Sequence, residues 1–123
     1  MKVLIVEPHK HPRMADIPHT LDAMQEIVGG TIQAIYPWED EVAVVCDDEG
    51  MMKGCELNRH IAPGVAIAGT FFLCAIGGDD FADLPDDLAN KYRKMLYHPQ
   101  TFARTADGSI AAIRADGKIT RVW

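Results

Sequence analysis

The chain has 123 residues, 48% of them apolar, 24% charged and 7% aromatic, with twelve Lys and Arg against eighteen Asp and Glu for a formal charge of −6. A chain of this size buries roughly two thirds of the surface its unfolded form exposes, enough for one domain with its own core and no disulfide or metal staple. The figures exclude low-complexity disorder, a collagen-like repeat and a disulfide-rich miniprotein.

Between Lys2 and Glu7 the apolar run Val3–Val6 is four residues long, too short for a signal-peptide core. The longest apolar stretch, Val65 to Ile76, is twelve residues broken by Gly69 and Thr70, whereas a helix needs ~20 apolar residues to cross a bilayer. No membrane span is expected. Cys46, Cys55 and Cys74 are odd in number and lack a C-x-x-C spacing. They read as reduced thiols in a cytoplasmic setting, Cys46 and Cys74 as small buried hydrophobes.

In chain order, Lys2 to Glu7 reads as a first strand stopped by Pro8. Three prolines between residues 8 and 18 leave room for a short extended piece around Arg13 to Ile17, which can pair back on that strand. Thr20 is placed to cap a helix whose apolar stripe is Leu21, Met24, Ile27 and Val28, with Gly29-Gly30 as its left-handed stop. Thr31 to Tyr36 and Val42 to Cys46 form an antiparallel pair through a turn at residues 37–40, and residues 47–50 make a second, polar turn.

Met51 to Gly64 lacks a clean period and reads as a loop, whereas Val65 to Ile76 reads as one central strand with a bulge at Gly69. Pro85 is placed as the first residue of a second helix, with Asp86 and Asp87 at its positive end, a stripe of Leu88, Tyr92, Met95 and Leu96, and Pro99 as its end. Ala106-Asp107-Gly108-Ser109-Ile110 and Ala115-Asp116-Gly117-Lys118-Ile119, nine residues apart, each carry the Asp-Gly pair of a tight hairpin turn.

The ordered set Val3-Leu4-Ile5-Val6-Glu7-Pro8, Pro12-Arg13, Thr20-Leu21 and Ile27-Val28-Gly29-Gly30-Thr31-Ile32, followed by Asp48-Glu49-Gly50, Asn58-Arg59 and Ile67-Ala68-Gly69-Thr70-Phe71-Phe72, resembles domain of unknown function family 3846. The resemblance covers residues 1 to about 96. It implies a domain of the kind encoded by bacteria, phages and mobile elements, with no known catalysis.

Several polar groups are candidates for chemistry. His9-Lys10-His11, with His19 or Cys55, could supply imidazole and thiolate to a metal, and Cys55 with His60 a nucleophile–base pair, but none of the paired spacings of a zinc site or protease signature is present. Gly29-Gly30 follows a helix rather than opening one, so it is no phosphate loop. Asp79, Asp80 and Asp83 lack the pattern of a calcium loop. Asn58-Arg59 is the most informative pair: a guanidinium in a loop either recognises a carboxylate or phosphate, or organises the loop by bonding backbone carbonyls.

Charge is divided unevenly. Residues 1–90 hold five Lys/Arg and sixteen Asp/Glu, net −11, and residues 91–123 hold seven and two, net +5. Either the basic end packs on the acidic body, or Glu39, Asp40, Glu41, Asp47, Asp48 and Glu49 present a negative surface to a basic protein partner. Nucleic-acid binding through the basic tail is a lesser alternative, because a net-acidic chain repels phosphates.

The sequence therefore predicts a single α+β domain: a mixed or antiparallel sheet with two packed helices over residues 1–101 and a C-terminal β-hairpin extension over 102–123. No acid, base, nucleophile or ligand set converges, so the expected role is a noncatalytic binding or accessory module without a cofactor. The alternative is a small metal-binding protein or enzyme built on His9, His11, Cys55 and His60.

Overall fold

The structure, a computed structural model, describes residues 1–122. Its centre is an antiparallel sheet in the order β2 (Arg13–Asp16), β1 (Lys2–Val6), β7 (Phe71–Gly77), β4 (Val42–Asp47), β3 (Ile32–Ile35), with β8 (Asp80–Ala82) folded back on the end of β7. Between mixed and antiparallel, the pairing settles on antiparallel. Register aligns Leu4 with Leu73 and Leu73 with Val44, so one row of side chains crosses three strands.

Both faces of this sheet are covered, which explains why its strands read as continuous apolar runs and not as alternation. Helix α1 (Leu21–Val28) lies on one face, where Val3, Ile5, Ala43, Val45, Phe72 and Cys74 meet Met24 and Val28. Helix α2 (Asp86–Met95) covers the other with Ala89, Tyr92 and Leu96 against Leu4, Val44 and Leu73. Fully buried side chains such as Phe72 each stabilise the fold by roughly 1.5–3 kcal/mol. The residues of helical period are not all used: Leu21, the first residue of α1, and Met95, the last of α2, are exposed.

Local chemistry sets the helix limits. Thr20 Oγ1 accepts from Ala23 N–H at 3.2 Å, and Gly29, at φ +85°, turns the chain out of α1 with its N–H on Gln25 O. Gly29→Ala forces an L side chain into that left-handed conformation. The expected loss of about 1 kcal/mol is read from the midpoint of urea unfolding. Pro85, the predicted first residue of α2, is its N-cap, so the helix begins one place later at Asp86, and its C-cap Leu96 stands three residues short of Pro99.

Two predicted elements need correction. Residues 51–64 are not a loop: after a turn they form β5 (Leu57–Ala62), which pairs antiparallel with β6 (Val65–Ala68) in a separate two-stranded sheet. Val65 to Ile76 is not one strand either. Gly69, at φ +79° with its N–H on Glu56 O, breaks the run, so β6 stays with β5 and β7 enters the central sheet.

The C-terminal part is a three-stranded meander, β9 (Gln100–Arg104), β10 (Ile110–Arg114) and β11 (Ile119–Arg121), with the two Asp-Gly pairs in its two turns. It begins at Gln100, so the expected boundary after residue 101 falls inside β9. Gln100 Oε1 accepts from His60 N–H at 2.8 Å and ties the meander to β5. Trp123 lies outside the described residues.

Candidate binding site

The six acidic candidates do not share one surface. They fall at opposite ends of β4, a six-residue strand, which separates the two groups by roughly 17–20 Å. At the first end Asp40 is committed internally: its carboxylate accepts from Lys91 Nζ at 2.6 Å and from Tyr92 Oη at 2.7 Å, and Trp38 stacks on the Tyr92 ring. These bonds from Lys91 and Tyr92 hold Asp40 below the usual carboxylate range, while burial and Asp40 push the Tyr92 phenol up. Glu39 and Glu41 beside it are exposed.

At the other end Asp47 is the last residue of β4 and is 5% exposed. Its Oδ1 accepts from Glu49 N–H at 2.9 Å, and the Lys53 ammonium sits on Oδ2 while also donating to Gly29 O at 3.1 Å. The lysine thus caps the negative end of α1 and pairs with Asp47 at once. That Lys53 bond is the main cause that lowers the Asp47 pKa. Space is tight here: a Cβ at Gly30 would stand 2.6 Å from Lys53 Nζ and 2.8 Å from Asp47 Oδ2.

With Asp47 and Lys53 turned inward, the turn itself displays Asp48, Glu49, Met51 and Met52. It is held by Lys53 N–H on Glu49 O, Gly54 N–H on Met51 O and Cys55 N–H on Gly50 O. Gly50 is pressed against β6, where a Cβ would meet Ala68 O at 2.9 Å. Met51 is 54% and Met52 89% exposed. Both methionines border a groove of about 100 Å³, room for one side chain, floored by Cys46 and Ala66–Ala68 and edged by Asp48. A flexible, polarizable rim beside carboxylates suits an aliphatic stem that ends in a cation.

Asn58 and Arg59 are the second and third residues of β5 and are fully buried. Arg59 donates from Nε to Leu96 O at 3.0 Å, from Nη1 to Asn58 Oδ1 at 2.8 Å and from Nη2 to Lys10 O at 2.6 Å. Asn58 Nδ2 donates to Val6 O and to Gly69 O, each at 2.9 Å. Of the two roles open to this pair, the geometry is that of the organiser: its donors face backbone carbonyls that join β1, β5, α2 and the loop of residues 8–12. Burial lowers the guanidinium to about 10, which leaves it charged at neutral pH beside the negative end of α2.

The histidine and thiol candidates are dispersed. His9, the one non-glycine residue at positive φ among the described residues, has Nε2 2.5 Å from Glu56 Oε1. His11 Nδ1 lies 2.8 Å from Tyr97 O and the ring stacks on Tyr97. Cys55 is half-buried, and His60 Nε2 is buried without a hydrogen-bond partner among the described residues, so no imidazole–thiol pair forms there. Among the described residues no three His, Cys, Asp or Glu side chains are gathered where they could hold a metal ion.

The basic end does not pack wholesale on the acidic body. Lys91–Asp40 joins the two parts, but Arg114 and His98 pair with Asp116, and Arg121 pairs with Asp107, all inside the meander or its approach. The exposed methionines are what sequence reading missed. Their signal was the pair Met51-Met52 in a turn too polar to be core.

Fold and site together define an antiparallel α+β domain with helices on both faces and a small acid-edged groove at one end. The chain belongs to the Domain of unknown function (DUF3846) family, whose model matches residues 1–97, the extent that the sequence resemblance covers. The match ends between α2 and β9, so the groove lies inside it and the meander outside it. Comparison with curated proteins and with solved structures gives no match. No helix among the described residues is long and apolar enough to cross a membrane.

Proposed function

We propose that the chain is a noncatalytic binding module that takes a basic, apolar-bearing segment of a protein partner in the groove beside Asp48–Met52. The observation that carries this reading is the exposure of Met51 and Met52 next to Asp48 and Glu49, above a groove that admits one side chain. Packing does not account for an 89% exposed methionine, and methionine-rich surfaces adapt to partners of varied shape. Lys53 is occupied by Asp47 and Gly29 O, so the two outer carboxylates keep their field for an incoming cation. Phosphate-bearing ligands are disfavoured by the net charge of −6.

The test is a calorimetric titration with a synthetic amphipathic Leu/Lys peptide. Binding is expected to weaken at least tenfold when Asp48→Lys and Glu49→Lys are combined, and to weaken as salt shortens the Debye length. Met52→Ser is expected to cost several-fold in affinity by removing apolar contact. Equal binding of a Leu/Glu peptide, or binding untouched by the charge reversals, would overturn the reading.

A further inference from the structure

At the end of the sheet away from the methionine groove, the face that carries α1 is only partly covered. Ile76 and Phe81 are half-buried against that core, and Tyr36 is 57% exposed. A cleft of about 340 Å³ lies there, lined by Tyr36, Ile76, Gly78, Asp79, Asp80 and Phe81. Ala75 pairs with Val42 on one edge and with Ala82 on the other, so the strand order across the cleft is β8, β7, β4, β3. The backbones of β8, which carries Phe81, and of β3, which Tyr36 follows, therefore lie three strand spacings apart, roughly 14 Å.

The two ends of this cleft differ in chemistry. At the turn between β7 and β8, Asp80 Oδ1 accepts Phe81 N–H at 2.7 Å with His19 Nε2 3.4 Å away, and the other carboxylate oxygen is open. Asp79 is exposed and, among the described residues, has no hydrogen-bond or ion-pair partner. Ile76 and Phe81 give an apolar floor. At the far end the Tyr36 ring stacks on no other aromatic side chain among the described residues. Exposed Glu41, whose carbonyl accepts Ile76 N–H at 3.2 Å, brings another acidic residue beside the floor. No Lys or Arg lines the cleft.

Charge complementarity selects a cation, and the length of the cleft selects one whose charge repeats along an aliphatic stem. A compact cation held by the carboxylates leaves the distant ring unused, whereas an elongated one reaches both ends and covers the floor with methylenes. We propose that this cleft binds a small aliphatic polyamine. One ammonium sits on Asp79 and Asp80, the stem lies over Ile76 and Phe81, and a second ammonium meets the face of Tyr36. The site is at the opposite end of β4 from the methionine groove and does not depend on the reading of that groove.

Calorimetric titration of the full chain with spermidine tests this in about 0.15 M salt, where a Debye length of about 8 Å suppresses diffuse attraction to an acidic protein. Saturable one-to-one binding is expected. Asp79→Asn combined with Asp80→Asn is expected to weaken it at least tenfold while keeping an acceptor for Phe81 N–H. Tyr36→Ala is expected to weaken it about three- to fivefold and Tyr36→Phe to leave it unchanged, because the ring face and not the hydroxyl holds the cation. Butylamine, with one charge, is expected to bind at least tenfold more weakly than spermidine. The three substituted side chains are exposed, and unchanged circular dichroism checks that each variant folds.

Absence of saturable binding, full displacement by magnesium chloride at equal ionic strength, or variants that all bind like the wild-type chain overturns the proposal. A short lysine peptide that binds more tightly than spermidine overturns the small-molecule assignment and makes the cleft a docking site for protein. Asp48→Lys with Glu49→Lys is expected to leave spermidine affinity within about threefold, since those residues lie beyond a Debye length from the cleft. Loss of spermidine binding in that variant would place the amine on the methionine groove and overturn the cleft.

Discussion

Replacing Arg59 by Ala is expected to destabilise the fold by about 4 kcal/mol, the largest effect of any polar substitution in this chain. The guanidinium is fully buried and donates to Leu96 O, Asn58 Oδ1 and Lys10 O. Truncation leaves those oxygens without donors in a space that water cannot readily refill, and it opens a cavity. It also removes the cation at the negative end of α2.

Arg59→Lys retains the charge but offers a point donor in place of a planar fork, so it is expected to recover less than half of the loss. Urea unfolding of the three chains gives the comparison. A loss below about 1 kcal/mol for Arg59→Ala would mean that the carbonyls find other donors and that the junction does not depend on this residue. Deprotonation adds nothing near neutrality, since the folded-state value of about 10 leaves the group charged.

Asp47→Ala is expected to cost about 2 kcal/mol, less than a fully enclosed ion pair because Lys53 is 39% exposed and can turn to water. The loss includes the acceptor for Glu49 N–H, which shapes the acid-displaying turn. The pH dependence follows from the direction of the shift. Asp47 is held below its unfolded value, mainly by Lys53, so its contribution is fully present above the unfolded pKa of about 3.9 and is lost as pH falls through the folded one. Between pH 5 and 7 the wild-type unfolding midpoint is expected to be flat, and to fall below about pH 4. Asp47→Ala removes part of that acid slope. An unchanged slope would place the acid sensitivity in other carboxylates, such as Asp40.

Much of this architecture is legible in the residues because local signals agree with the fold. Thr20 and Gly29 delimit α1 by capping and by left-handed backbone, and the apolar runs of β1, β4 and β7 are long enough to require cover on both faces. The stretch from Met51 to Gly64 was opaque for a physical reason. Gly54, Asn58 and Pro63 signal loop, while the alternation of Leu57, Arg59 and Ile61 that marks β5 is hidden by an arginine at a core position.

A buried guanidinium satisfied by carbonyls has no charge partner to search for in sequence. Gly69 was readable as an irregularity, but whether it bends one strand or divides two depends on β5, which was itself unseen. The acidic candidates failed as one surface because adjacency in sequence ignored the length of β4 between them. The pairing of Asp48 and Glu49 with two exposed methionines over a groove became visible only once Asp47 and Lys53 were seen to turn inward.

The chain has six methionines, which makes the groove directly observable. Methyl-labelled methionine spectra recorded during titration with the Leu/Lys peptide are expected to show Met51 and Met52 shifting together and saturably, while Met14, Met24 and Met95 stay in place. Shifts centred on Met14 or Met95, or a titration that leaves Met51 and Met52 unmoved, would contradict the account.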